Sequence, residues 1–152
     1  QRQMCIRDRD IPTLIKDIFT ERAEALLKQR PDYASLEDAL DEAVQMVIKS
    51  KRIVYHLYRS ADRALVEMYL MRICEQVILS YIHDNRSDLP ISQEDKTIIV
   101  RYYKCQCFGM IIDWLNSDMR FDIAAEARRM YELRKGMPEE IIRRASMQRP
   151  RA

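Results

Sequence analysis

A chain of 152 residues is long enough for one domain with a real core. Hydrophobic content of 47% with 33% charged residues describes a soluble globular chain, and two Gly with five Pro leave few turns, which points to an all-α fold. A formal net charge of +2 argues against a nucleic-acid-binding surface, and no secretory signal or run of about 18 apolar residues marks a signal peptide or membrane span.

The charge excess sits at the start, where Arg2, Arg7 and Arg9 stand against Asp8. Residues 1–9 (QRQMCIRDR) lack periodicity and resemble translated adaptor sequence, so they read as a non-native leader before a domain over 10–147. A first helix is predicted over Ile11–Gln29, with Asp10 as N-cap and Pro12 in the first turn. Its apolar face carries Ile11, Leu14, Ile15, Ile18, Phe19, Leu26 and Leu27. Arg30-Pro31-Asp32 ends it.

Ser35 and Asp38 form a capping-box-like start for a second helix, with Leu36, Ala39, Leu40, Ala43, Val44 and Val47 on one stripe. A short third helix spans Lys51–Tyr58. Ser60 then caps a long fourth, Ala61–Asp84, which is apolar on most faces and therefore central. Its polar strip is Arg72, Gln76, Ser80 and His83.

After a loop over Asn85–Ile91, Ser92 caps a helix that ends near Asn116. This helix carries most of VRYYKCQCFGMIIDWLNSDM (Val100–Met119), with the only Trp, Trp114, and one of the two glycines, Gly109. Glycine in mid-helix costs about 1 kcal/mol relative to alanine, so its presence points to the close approach of another backbone. Packing of Gly109 and Trp114 within one subunit is the alternative. A last helical region spans Asp122–Lys135, closed by Gly136. Pro138 opens a short helix to Met147, and residues 148–152 are expected to be a disordered basic tail.

The four cysteines form no metal-binding pattern. Cys105 and Cys107 are two apart on a helix and point roughly 160° from each other. With Cys5, Cys74 and two histidines elsewhere, no metal set assembles, and buried reduced thiols are expected. No phosphate loop, nucleophile elbow or HExxH motif is present, so no enzyme activity and no cofactor are predicted.

Two stretches carry a resemblance: VYHLYRSADRALVEMYLMRICEQVILSYI (Val54–Ile82) and FGMIIDWLNSDM (Phe108–Met119), the latter with Gly109, Trp114 and Leu115 in a Gly-x-x-x-x-Trp-Leu pattern. In order and spacing the chain resembles the C-terminal regulatory and dimerisation domain of TetR-family transcriptional regulators, of the type common in Firmicutes. The resemblance covers Asp10 to about Lys135. It implies a cytoplasmic homodimer that senses an unknown small molecule and makes no membrane contact. DNA would be bound only through an N-terminal helix-turn-helix, which is missing upstream of Asp10. In that reading, the helices Ser92–Asn116 and Asp122–Lys135 pair across a two-fold axis through Phe108, Gly109, Ile112, Trp114, Leu115, Ile123, Ala127 and Met130. An effector pocket between the central helices would draw on Tyr58, Met68, Met71, Arg72, Glu75, Tyr102, Tyr103 and Gln106, with Tyr102 and Gln106 facing inward beside Ala61–Asp84. The competing reading is a helical protein–protein interaction module without a small-molecule site.

Overall fold

Short polar side chains set where the helices begin. In the computed structural model, which describes residues 2–29, 32–86 and 89–147, with side chains for 11–29, 32–83 and 89–147, seven helices account for the regular backbone and no strand occurs among the described residues. Helix α2 (Leu36–Lys49) opens where Ser35 Oγ accepts the Asp38 N–H at 3.1 Å. Helix α5 (Gln93–Asn116) opens on Ser92, which accepts from Asp95 at 3.0 Å, and α6 (Ile123–Leu133) on Asp122, which accepts from Ala125 at 3.0 Å. Each cap satisfies an N–H that the helix itself cannot.

Between them lie α3 (Lys51–Tyr58) and α4 (Arg63–Arg86). The predicted cap Ser60 is not at the start of α4. Its hydroxyl donates to the Leu57 carbonyl and accepts from Asp62, closing a turn, and the Asp62 carbonyl takes the first bond from Val66. Helix α4 also runs on through Arg86, so the loop expected from Asn85 starts later; residues 87–88 lie outside the described ones.

Helix α1 (Arg2–Lys28) departs most from expectation. It starts at Arg2 rather than Ile11, with Pro12 inside it. Pro12 is exposed, so the carbonyl left without its N–H partner can be satisfied by water. Arg30 and Pro31, expected to end this helix, lie outside the described residues, as does the tail 148–152. Gly136, with φ of +84°, turns the chain into α7 (Met137–Met147), with Pro138 buried in its first turn.

Helix α4 is the axis of the fold and packs against α1, α2, α3 and α5. Its side chains Val66, Leu70, Cys74, Ile78 and Tyr81 are almost fully enclosed. The α2 stripe read from periodicity, Leu36 through Val47, is buried throughout. Ser80, assigned to the polar strip of α4, is buried. A helix covered on four sides has no room for a full polar strip.

At the end of α5 the chain reverses through two consecutive left-handed residues, Asp118 (φ 60°) and Met119 (φ 59°). For non-glycine residues this costs about 1–2 kcal/mol each. The turn is held by Met119 N–H on the Trp114 carbonyl (2.9 Å) and by the Trp114 indole N–H on the Phe121 carbonyl (3.0 Å). The Asp118 carboxylate accepts from Tyr55 at 2.8 Å and pairs with Arg59, and both contacts lower its pKa, the Tyr55 bond first.

Candidate functional site

Helix α5 has two unlike faces. Toward the core it buries Ile99, Val100, Tyr103, Cys107, Ile111, Trp114 and Leu115. Away from it, Ile98 and Tyr102 are 53% and 56% exposed, and Cys105 and Gly109 continue the same stripe at spacings of 4, 3 and 4. Met130 and Leu133 on α6 and Met137 at the start of α7 add further exposed apolar surface. A shallow groove of about 510 Å³ lies along the stripe, lined by Ile98, Arg101, Tyr102, Cys105 and Gln106. A Cβ built on Gly109 would meet nothing within 4 Å. Among the described residues, then, no backbone makes the close approach that the glycine suggested.

The residues expected at the interface divide accordingly. Gly109 and Met130 are exposed, and Phe108 and Ile112 are half-buried beside the stripe. Trp114, Leu115, Ile123 and Ala127 are buried within the chain. The large anchor expected of Trp114 is used internally, where its indole braces the turn after α5. Ile98, Tyr102 and Cys105 join this face without having been expected there, and Leu133 and Met137 are exposed as well. The signal is present in the sequence: Ile98, Tyr102 and Cys105 precede Gly109 at helical spacing.

The expected pocket residues do not converge. Tyr58 is buried, donates to Asn116 Oδ1 at 2.6 Å and accepts from Arg63, whose guanidinium lies 4.2 Å from its ring centre. Tyr103 is buried, and desolvation pushes its hydroxyl up to about 12. Met71 is half-buried, Met68 is exposed, and Glu75 pairs with Lys104 at 2.7 Å. Tyr102 and Gln106 point outward rather than toward α4, Gln106 accepting from Arg134 at 2.8 Å. The physical reason is phase: Tyr103 and Cys107 take the inner face of α5, which turns Tyr102 and Gln106 to the outside.

The interior space lies elsewhere, under α1. Phe19, Ala23 and Leu26 of α1 roof a crevice floored by Met46 and Val47 of α2, Ile53 and Val54 of α3, and Leu70 and Ile73 of α4, enclosing about 30 Å³. A second chamber of about 10 Å³ shares Leu26, Met46 and Ile73 and continues to Tyr33, Gln76 and Ser80. Its few polar groups include the Tyr33 hydroxyl, which is buried without a partner among the described residues and pushed up to about 12 by desolvation first and Glu42 second. The larger space has room for a water but not for a metabolite, since ligand pockets are typically about 300–1,000 Å³.

A polar clamp holds α1 over this crevice. Tyr69 donates to Glu24 Oε1 at 2.8 Å, which raises the phenol's pKa, and Arg72 lies 3.8 Å from the same carboxylate oxygen. Phe19 meets the Tyr69 ring edge-on at 5.7 Å, and Lys16 pairs with Asp62 at 3.4 Å. Arg72, expected in a pocket, is thus part of the α1–α4 tether.

A third space, about 500 Å³ between α2, α6 and α7, is lined by Glu37, Asp38, Asp41, Glu132 and Glu139 with Arg128 and Lys135. Burial is the largest cause of the raised pKa of Glu37. No group of three or more His, Cys, Asp or Glu residues among the described ones is placed to hold a metal ion. No helix of the described residues is long and apolar enough to cross a membrane.

The helical order, the central α4 and the two-faced α5 agree with one family. The family model for TetR C-terminal domains, described as "Transcriptional regulator C-terminal region", matches residues 34–136, which run from the cap of α2 to the glycine after α6. The chain belongs to this family, a family of transcriptional regulators rather than enzymes. No curated protein and no solved structure gives a match.

Proposed function

We propose that this chain is the effector-sensing and dimerising part of a TetR-type regulator acting in the cytoplasm. The observation that carries the reading is the crevice between α1 and the α2–α4 core, roofed by a helix that polar contacts tether from its edges. A small, mainly apolar effector would make its own room there by lifting α1. The state with α1 raised then gains population in proportion to the ligand's preference for it. In the whole regulator the helix-turn-helix stands on the N-terminal side of α1, so that movement would change the spacing of two DNA-binding heads. Two copies would pair through the outer stripe of α5 and the exposed apolar residues of α6, with Gly109 at the closest approach.

Isothermal titration and thermal shift against a metabolite panel test the sensing half, with Ile73→Trp as the filled-crevice control. The expected result is a ligand that raises the melting temperature of the parent and not of the variant. Sedimentation tests the other half, with a homodimer expected. The small volume of the crevice favours one competing reading, a helical interaction module without a small-molecule site. A chain that sediments as a monomer and responds to no ligand would support that module instead.

A further inference from the structure

Cys74 on α4 and Cys107 on α5 bring their sulfurs to 3.4 Å, and both are buried. At that distance two sulfurs are in contact. A disulfide needs about 2.05 Å, so closure requires an approach of roughly 1.4 Å shared between two side chains. Sequence alone does not reveal the pairing, since the cysteines stand 33 positions apart.

We propose that Cys74 and Cys107 form a redox modification site, at which hydrogen peroxide produces a reversible disulfide joining α4 to α5. The Cys74 thiol donates its hydrogen to the Cys107 sulfur, so in the proposed sequence Cys107 attacks first and Cys74 resolves. Cys107 gives up its proton as its sulfur takes one peroxide oxygen, the O–O bond breaks, and the departing hydroxide takes up that same proton and leaves as water. Cys107 is then a sulfenic acid. The Cys74 sulfur attacks it, the S–O bond breaks, and the hydroxyl leaves with the Cys74 proton as a second water. Two thiols lose two electrons in all, and one peroxide gains them.

Burial selects the oxidant. The hydrogen bond to Cys107 and desolvation both push the Cys74 thiol well above its ordinary value, and a charged or bulky oxidant has no path to it. Hydrogen peroxide is small and neutral. In the proposal it would enter from the 500 Å³ cleft past Tyr131 of α6, which lines that cleft. Cys105 is exposed but projects from the opposite side of α5, so it cannot substitute for Cys107 without unwinding the helix. The bond would join the helix that floors the crevice to the helix that carries the outer stripe.

The experiment uses the full chain with Cys5→Ser and Cys105→Ser, leaving the buried pair alone. After brief hydrogen peroxide treatment the chain is unfolded, its free thiols are counted with N-ethylmaleimide, and the tryptic peptides are mapped without reductant. The expected result is a fall from two thiols to none and a linked peptide pair containing Cys74 and Cys107. Dithiothreitol should restore both thiols, and the oxidised form should melt several degrees higher. Cys74→Ala and Cys107→Ala should each yield no monomeric cross-link. The parent peptide map does not depend on either variant folding. Two thiols still open to maleimide after peroxide, or sulfinic acid at either cysteine without the linked peptide, overturns the proposal.

Discussion

The two sides of α4 are built differently. On one side α5 lies against it along an apolar seam, with Cys74, Ile78, Tyr103, Cys107 and Ile111 all excluded from solvent. On the other side α1 touches it through a narrower strip. Phe19 and Ala23 are buried, Ile15 and Leu26 are half-covered, and Ile11 and Leu14 are more than half exposed. A dense seam gives a single geometry, because any displacement opens voids. A narrow strip above a crevice, held by a hydrogen bond and two exposed ion pairs, can open locally while the rest stays folded. The contrast assigns rigidity to the α4–α5 side and movement to the α1 side.

The sharpest way to break that contrast is to damage each side in turn. Leu115→Ala, at a fully buried position, should cost about 2–5 kcal/mol and lower the whole urea transition. Phe19→Ala should cost about 3 kcal/mol, expressed as local opening of α1. Hydrogen exchange should then quicken about a hundredfold in the amides of α1 and hardly at all in α4 and α5. Uniform acceleration across all helices would show that α1 is as firmly integrated as α5.

A smaller effect separates the inner and outer faces of α5. A Cβ at Gly109 meets nothing among the described residues, so Gly109→Leu should stabilise the monomer's helix by up to about 1 kcal/mol while weakening self-association tenfold or more. Sedimentation across a concentration series reads this. An unchanged dimer would remove Gly109 from the interface. Tyr103→Phe, on the buried inner face of the same helix, should leave association intact.

The smallest effect calibrates surface electrostatics against both sides. Arg143 first, and then Arg144, hold the Glu140 carboxyl down at about 2, below its ordinary 4.5. With the folded value depressed, the ion pairs contribute above the unfolded value and are lost as pH falls from about 4.5 toward 2. The group is solvent-exposed, so the loss should be slight and confined to α7. Acid titration of the Glu140 signal by NMR would test it, and a midpoint near 4.5 would count against the pairing.

Helix order, the α2 stripe, the central place of α4 and the caps at Ser35 and Ser92 are legible in the sequence. Each is a local or periodic signal written in consecutive residues. The illegible part depends on phase between helices. Tyr102 and Tyr103 are neighbours of the same type, yet one is exposed and the other buried, and only the packing of α5 on α4 decides which. Trp114 has the look of an interface anchor because size and rarity say nothing about direction. The crevice under α1 escapes a reading of the sequence because it is formed by ordinary residues such as Met46, Leu70 and Ile73, none of which carries a polar or aromatic signal. The start of α1 is hidden because Pro12 has the character of a boundary residue, whereas an exposed proline can be carried inside a helix.

The turn at Asp118–Met119 works as an index pin. Each residue added to a helix rotates the downstream chain by about 100° and advances it by about 1.5 Å. Two left-handed residues, bonded backward to Leu115 and Trp114 and sideways to Tyr55, allow the chain to leave α5 at one angular position only. That angle puts Met130 and Leu133 in the open while Ile123 and Ala127 stay enclosed. The segment between Asn116 and Asp122 is therefore fixed in length: a single insertion there would leave every side chain chemically unchanged and turn the apolar surface of α6 away from its present direction.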